Sequence, residues 1–288
     1  MTDHFHRISI IGLGLIGGSW GLALREKGYQ GVRVGFDRPD VLARAQAAGA
    51  VDETAVDIGA AVLGADLVIL ATPVGAILDL LPQLKTGASP SALVTDVGST
   101  KRLICHRASE FLGDQPLFIG GHPLAGKERS GFEHADAALL QNARYVLTPL
   151  TPDNLEDPRV KAFCALLESI GARPFVTDPQ SHDRAMAFLS HVPQLLSTGL
   201  ASLIAEQSAE DFLPAELAAS GFRDVTRLAD SPYGLWRDIC LTNIENIQSA
   251  LEALVEKLEH MKLHLTDRDL EREFKQALKL RDKLRELQ

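Results

Sequence analysis

Cysteine is scarce: the 288 residues hold three (Cys105, Cys164, Cys240), far apart and with no Cys-x-x-Cys pair. That excludes a disulfide framework and a cysteine zinc site, and it suits a reducing, cytoplasmic setting. Basic charge is also short, with 29 Lys and Arg against 38 Asp and Glu and a net charge of −9. Such a balance argues against nucleic acid or an anionic membrane surface as partner. No uninterrupted apolar run approaches the ~20 residues of a membrane span. The opening MTDHFHRISIIG has neither the basic flank nor the small-residue cleavage site of a secretory leader, so a strand is expected almost at once. There is no His-Glu-x-x-His, no internal repeat and no low-complexity stretch.

What is present has the texture of two domains, as a chain of this length leads one to expect. Up to residue 178, strand-length apolar runs alternate with helix-period segments, the pattern of a parallel sheet wound with helices. Strands are expected at Arg7–Ile11, Val32–Asp37, Asp66–Thr72, Ala92–Val97, Leu117–Gly120, Tyr145–Leu150 and Pro174–Thr177. Their Val, Ile and Leu density shows little polar alternation, so both faces of the sheet should be covered. From 179 to 288 the β-branched clusters thin out, and Asp183–Glu206, Leu235–Leu265 and a charged tail from Asp267 to Gln288 read as helices. Leu270, Phe274, Leu278 and Leu284 give that tail a partly buried stripe. The expected fold is an α/β Rossmann-like dinucleotide-binding domain (1–178) followed by an all-α domain (179–288).

Gly12-Leu13-Gly14-Leu15-Ile16-Gly17 places a Gly-x-Gly-x-x-Gly between the first strand and the first helix. Gly12 allows the tight turn, Gly14 lets backbone approach a pyrophosphate, and Gly17 lets helix and strand pack closely. The phosphates would sit on free amides of Leu15 and Ile16 at the helix N-terminus, with no basic side chain required. Asp37 follows 25 residues after Gly12, at the end of the next strand, where a carboxylate binds the ribose hydroxyls of NAD and repels a 2′-phosphate. NAD is therefore expected over NADP, with Arg38 able to stack on adenine or to tolerate NADP. Thr72 and Pro73, and then Asp96 to Ser99, lie just past two further strands, where open α/β sheets bind ligands. Ser99 reads equally well as the cap of a helix over Thr100–Leu112.

Of nine histidines, His122 is placed best for chemistry. It lies just past an apolar strand in Gly120-Gly121-His122-Pro123, an irregular loop that faces the nicotinamide end of such a fold. A histidine there can take a hydroxyl proton while hydride leaves the same carbon. His191 precedes Pro193 on a helix that the proline should kink beside a pocket. His182 is nine residues earlier, half a rotation away on a continuous helix, and His182-Asp183 reads as a helix start. Arg223 and Arg227 offer guanidinium groups for a carboxylate, with ion pairs to Asp224 or Asp230 as the competing use. His260 and His264 sit four apart without a third ligand in the sequence, so no metal site is expected.

Assembled, these motifs resemble the prephenate/arogenate dehydrogenase family of tyrosine biosynthesis: GLGLIGGS at 12–19, FDR at 36–38, ATPV at 71–74, TDVGSTK at 95–101, GGHPLAG at 120–126, SHVPQ at 190–194, GFRDVTRLA at 221–229 and LWRD at 235–238. The resemblance implies NAD-dependent oxidative decarboxylation of prephenate or arogenate. It implies that His122 bonds the substrate's C4 hydroxyl, that Ser99 bridges that hydroxyl and the nicotinamide, and that His191 lies on the substrate side. Arg227 would grip the ring carboxylate, with Trp236 and Gly126 lining the pocket. It also implies a homodimer through the helical domain. Lys127 departs from relatives with a small hydroxyl residue there. The alternatives are a 3-hydroxyacid dehydrogenase-like enzyme, which would lead one to look for a lysine on the Asp183–Glu206 helix where none occurs, and a non-catalytic NAD-sensing protein.

Overall fold

The computed structural model describes residues 4–127, 129–209 and 213–286, so Met1 to Asp3 and the end of the tail, Leu287 and Gln288, lie outside the described residues. Its centre is one eight-stranded sheet made of β1 (Arg7–Ile11), β2 (Val32–Phe36), β3 (Glu53–Thr54), β4 (Leu67–Leu70), β5 (Leu93–Asp96), β6 (Leu117–Pro123), β7 (Arg144–Pro149) and β8 (Arg173–Val176). The order is β3-β2-β1-β4-β5-β6-β7-β8. Helices α1 (Leu15–Glu26), α2 (Pro39–Ala47), α3 (Ile58–Val62), α4 (Val74–Gly87), α5 (Arg102–Leu112) and α6 (Pro158–Ser169) cover it. Leu67 and Ile69 pack into one apolar cluster, Val68 and Leu70 into the other, so successive side chains of one strand feed two cores. That is why the strands read as continuous apolar runs rather than alternating ones.

Two features depart from the sequence expectation. The two-residue β3 is too short and polar to be seen as a strand, and it adds to the edge beside β2. The sheet is also not wholly parallel, because β7 runs antiparallel to β6. Among its described residues the β6–β7 connection carries a one-turn 3₁₀ segment (Phe132–His134) and no crossover helix, and a parallel pairing would need one. Trp20 meets Tyr145 edge-on at 5.8 Å and stacks on Phe163 at 6.1 Å, fixing this reversed strand over the core. The reversal extends β6: His122 lies in the strand opposite Val146, not in the loop expected beyond it.

From Pro179 onward the chain is helical: α7 (Pro179–Met186), a π-helical turn (Ala187–His191), α8 (Val192–Gln207), α9 (Leu213–Glu216), α10 (Ser220–Thr226), a 3₁₀ turn (Arg227–Asp230), α11 (Tyr233–Thr242), α12 (Ile244–Leu263) and α13 (Arg268–Glu286). The long segment expected at 235–265 breaks at Asn243, whose side chain is spent on other partners. Within Pro179–Gln207 an 18-residue window reaches a mean hydropathy of 1.2, enough by length and composition to cross a bilayer. Here its polar residues His182, Asp183 and His191 are buried against other parts of the chain. The helical part has a small core of its own, built on Ala187, Val192, Ile239, Ile247 and Ala250. Of the stripe expected to be partly buried on the tail, Leu270 is half-buried, whereas Phe274, Leu278 and Leu284 are exposed in the single chain.

Candidate active site

The glycine loop meets the geometry that the sequence demands. Gly12 sits at φ +91°, a left-handed conformation that favours glycine. A Cβ on Gly17 would fall 1.9 Å from the Gly12 carbonyl oxygen, whereas one on Gly14 would meet nothing within 4 Å. The loop is thus tight on the protein side and open on the other. α1 starts from Gly14 with no side-chain cap and no acidic residue in its first turn, which leaves Leu15 and Ile16 at a free, positive helix end. Asp37 is held by the Leu13 and Arg38 amides, at 2.7 and 2.6 Å. Gly12, Gly14, Asp37, Arg38, Thr72 and Pro73 line one cleft of about 630 Å³ at the carboxyl ends of β1, β2 and β4. In it Thr72 Oγ1 is buried without a partner, the mark of a polar site shaped for a ligand. These residues fit a dinucleotide.

His122 lines a second cavity, of about 350 Å³, with Pro123, Leu124, Ala125, Met186, Leu189 and Ser190. Its Nδ1 lies 2.9 Å from His182 Nε2, and His182 Nδ1 lies 2.7 Å from Asp183 Oδ1. Burial first, then the nearby His182, Lys101 and His191, hold the His122 ring well below the usual histidine pKa. His182-Asp183 is therefore not a helix start. Asp178 caps α7 at Ser181 N, and His182 and Asp183 are buried inside the helix. The π-helical turn adds backbone between His182 and His191 and changes their relative rotation. The half-turn argument that separated them fails, and both rings join one network.

His191 is almost fully buried. Asn243 Nδ2 donates to the Asp183 carbonyl at 2.8 Å and lies 3.2 Å from His191 Nδ1, so Nδ1 accepts and the ring hydrogen sits on Nε2. That Nε2 and Trp236 Nε1 are both buried without partners, with the two rings edge-on at 6.0 Å. Burial lowers the His191 pKa to about 4. A histidine whose folded pKa lies below its unfolded value gives stability above about pH 6.5 and loses it as pH falls towards 4. The expected result is a wild-type advantage over His191→Gln that shrinks by about 3 kcal/mol across this window. Melting temperatures of both proteins from pH 7 to pH 4 check it; parallel curves would refute it.

Ser99 is half-buried between β5 and α5 and does not cap the helix. α5 starts two residues later than expected, and Asp183 from the helical part accepts its first amides, Lys101 N at 2.6 Å and Arg102 N at 2.9 Å. Lys101 is itself fully buried, bonded to Asp96 and, at 2.7 Å, to the Gly121 carbonyl beside His122. Further bonds tie the two parts of the chain: Thr100 to Thr242 at 2.8 Å and Gly75 N to Asp238 at 3.0 Å. Arg227 is exposed on the 3₁₀ turn that Gln194 and Ser197 hold against α8, and neither it nor exposed Gly126 lines the His122 cavity.

Two known domain families cover the chain: the prephenate dehydrogenase nucleotide-binding domain over residues 20–176 and the prephenate dehydrogenase dimerization domain over residues 178–280. The chain belongs to the prephenate dehydrogenase family. It is 35% identical to the prephenate dehydrogenase of Lactococcus lactis subsp. cremoris, over 96% of this chain and 76% of that one. The crystal structure of prephenate dehydrogenase from Aquifex aeolicus with hydroxyphenyl propionate and NAD+ superimposes with a TM-score of 0.85 at 30% identity, covering 98% of both chains. Synechocystis arogenate dehydrogenase matches with a TM-score of 0.79 at 32% identity, over 96% of this chain and 99% of that one. In this prephenate dehydrogenase family member, sequence reasoning missed Lys101, His182, Asp183 and Asn243. Lys101 was legible only as the last letter of TDVGSTK, and Asn243 left no signal. His260 and His264 do gain a third neighbour, Asp269, with potential ligand atoms within 4.8 Å of one another. Arg272 and Asp267 already engage Asp269 and His264.

Proposed function

We propose that this chain catalyses NAD-dependent oxidative decarboxylation of prephenate to 4-hydroxyphenylpyruvate, of arogenate to tyrosine, or of both. One observation carries the reading. His122 lines a cavity with Nδ1 already engaged by His182, so Nε2 is the nitrogen left for a substrate hydroxyl. Burial keeps that ring in its neutral, proton-accepting form. NAD, which Gly12, Gly14 and Asp37 would hold, would supply the acceptor for the C4 hydride. His122 Nε2 accepts the hydrogen bond of the C4 hydroxyl, and any proton it borrows returns to the same oxygen, because the product is a phenol. The bond from the ring to its carboxylate breaks, and its electron pair completes the aromatic ring. His191 presents an N–H rather than a lone pair, which suits an anionic or carbonyl group of the substrate. Arg227 is assigned to the ring carboxylate, which must be positioned more than held, since its charge leaves with CO2. Ser99 is assigned to the hydroxyl–nicotinamide junction, and Trp236 and Gly126 to the substrate pocket.

The division of labour follows the change in architecture, with dinucleotide on residues 1–178 and substrate and dimerisation on 179–288. Leu203, Leu241, Val255, Leu258 and Phe274 leave apolar surface exposed on the helical part, in keeping with a homodimer formed there. The chain's three free cysteines suit a cytoplasmic enzyme. Asp37 favours NAD over NADP. Asp37→Ser should therefore raise kcat/KM with NADP relative to NAD by about tenfold, as expected when one ~1.4 kcal/mol charge repulsion is removed. An unchanged ratio would move the choice to Arg38 or to backbone.

The direct test is NADH appearance with NAD and prephenate, and separately with arogenate. Signal with prephenate alone fixes the keto acid, and signal with arogenate alone makes tyrosine the product. Silence with both would defeat the proposal.

A further inference from the structure

His122 is not an isolated ring. Asp183 Oδ1 accepts Lys101 N and Oδ2 accepts Arg102 N, so both carboxylate oxygens act as acceptors at the positive end of α5. The hydrogen between Asp183 and His182 therefore belongs to His182 Nδ1. In the neutral His182 ring, Nε2 is then a lone pair. The facing His122 Nδ1, 2.9 Å away, must carry its hydrogen and donate it. That leaves His122 Nε2 bare, the state a proton acceptor requires. The rings lie edge-on at 70°, with centroids 5.1 Å apart, and His182 and Asp183 are both buried, so water does not compete for these bonds.

Resting on the dehydrogenase reading above, we propose that His182 and Asp183 are positioning residues that lock His122 in its Nδ1–H tautomer and present Nε2 to the substrate hydroxyl. The carboxylate that starts this relay also holds the start of α5 at Lys101 and Arg102, two and three residues after Ser99. One side chain from the helical part thus both anchors the tautomer of the base and holds the start of α5. No group is transferred: the hydrogens on His182 Nδ1 and His122 Nδ1 stay on their nitrogens while His122 Nε2 lends its lone pair.

The test compares His182→Gln, whose amide oxygen can still accept from His122 Nδ1, with His182→Leu, which cannot. Both are read by turnover and by ring 15N shifts in the full-length, 15N-histidine-labelled enzyme with NAD and no substrate. His122→Asn assigns the His122 signals. The wild type and His182→Gln should show His122 as the Nδ1–H tautomer, and His182→Leu should shift it towards Nε2–H. kcat should fall roughly 10- to 100-fold in His182→Leu, with KM for prephenate changed less than about threefold and His182→Gln retaining most activity. A merely structural role would lower both variants alike and leave the tautomer alone, which would overturn the proposal. Should His182→Leu fail to fold, as its melting curve would show, an Nε2–H ring in the wild type or a collapse of kcat in folded His182→Gln would overturn it equally. If wild-type enzyme turned over neither substrate, the dehydrogenase reading would fail while the tautomer measurement still decided the relay.

Discussion

Replacing His122 with Asn should lower kcat by about 100- to 10,000-fold, the range that positioned proton transfer supplies. NAD affinity should stay within about twofold, because His122 lines the cavity beside Met186 and Ser190 rather than the glycine cleft. The asymmetry follows from the sheet. Gly12 and Asp37 follow β1 and β2, whereas His122 is carried on β6 beyond β4 and β5. Asparagine keeps a polar group of similar reach but offers an amide oxygen that cannot take up a proton at neutral pH. Steady-state NADH production, with NAD binding followed by fluorescence, separates the two quantities. A variant that kept wild-type kcat would remove His122 as the acceptor, and one that lost NAD binding would mean the sheet around β6 had been disturbed.

Lys101→Met should destabilise the protein by about 3 to 5 kcal/mol, the usual result of removing one partner of a buried ion pair. Lys101 and Asp96 are both wholly buried. Without the ammonium, the Asp96 carboxylate would be left with the Gly98 and Gly121 amides, at 2.8 and 3.0 Å, among the described residues. The Gly121 carbonyl would also lose its partner beside His122. A melting temperature lowered by roughly 6 to 15 °C is expected for a chain of this size. The double variant Asp96→Asn/Lys101→Met should lose less than the sum of the two single variants, since the stranded charge is gone. Additive losses would show that the two side chains do not act as a pair.

The sequence carried most of the first domain because its signals are local. A strand ending at Ile11, three glycines at fixed offsets and a carboxylate at Asp37 each constrain their own few residues, and parallel strands announce themselves by continuous apolar runs. The same locality explains the errors. β7 reverses direction because of how a connection travels, which no window of residues encodes, and that reversal turns the loop expected around His122 into strand. The His182–His191 spacing was judged on α-helical rotation, and a single π-helical turn was enough to undo the judgement.

By itself, then, the sequence determined the family and the α/β-then-helical organisation, and it singled out the glycine loop, His122, Ser99, His191 and Arg227 as the candidates for cofactor and substrate. Only the tertiary structure decided what surrounds His122. Asp183 reaches the amides of Lys101 and Arg102 across 81 or 82 residues of chain, His182 meets His122 across 60, and Lys101 pairs with Asp96 inside the sheet. Hydrogen positions and protonation depend on these long-range neighbours and on burial, and both come into being when the helical part closes on the carboxyl ends of the strands.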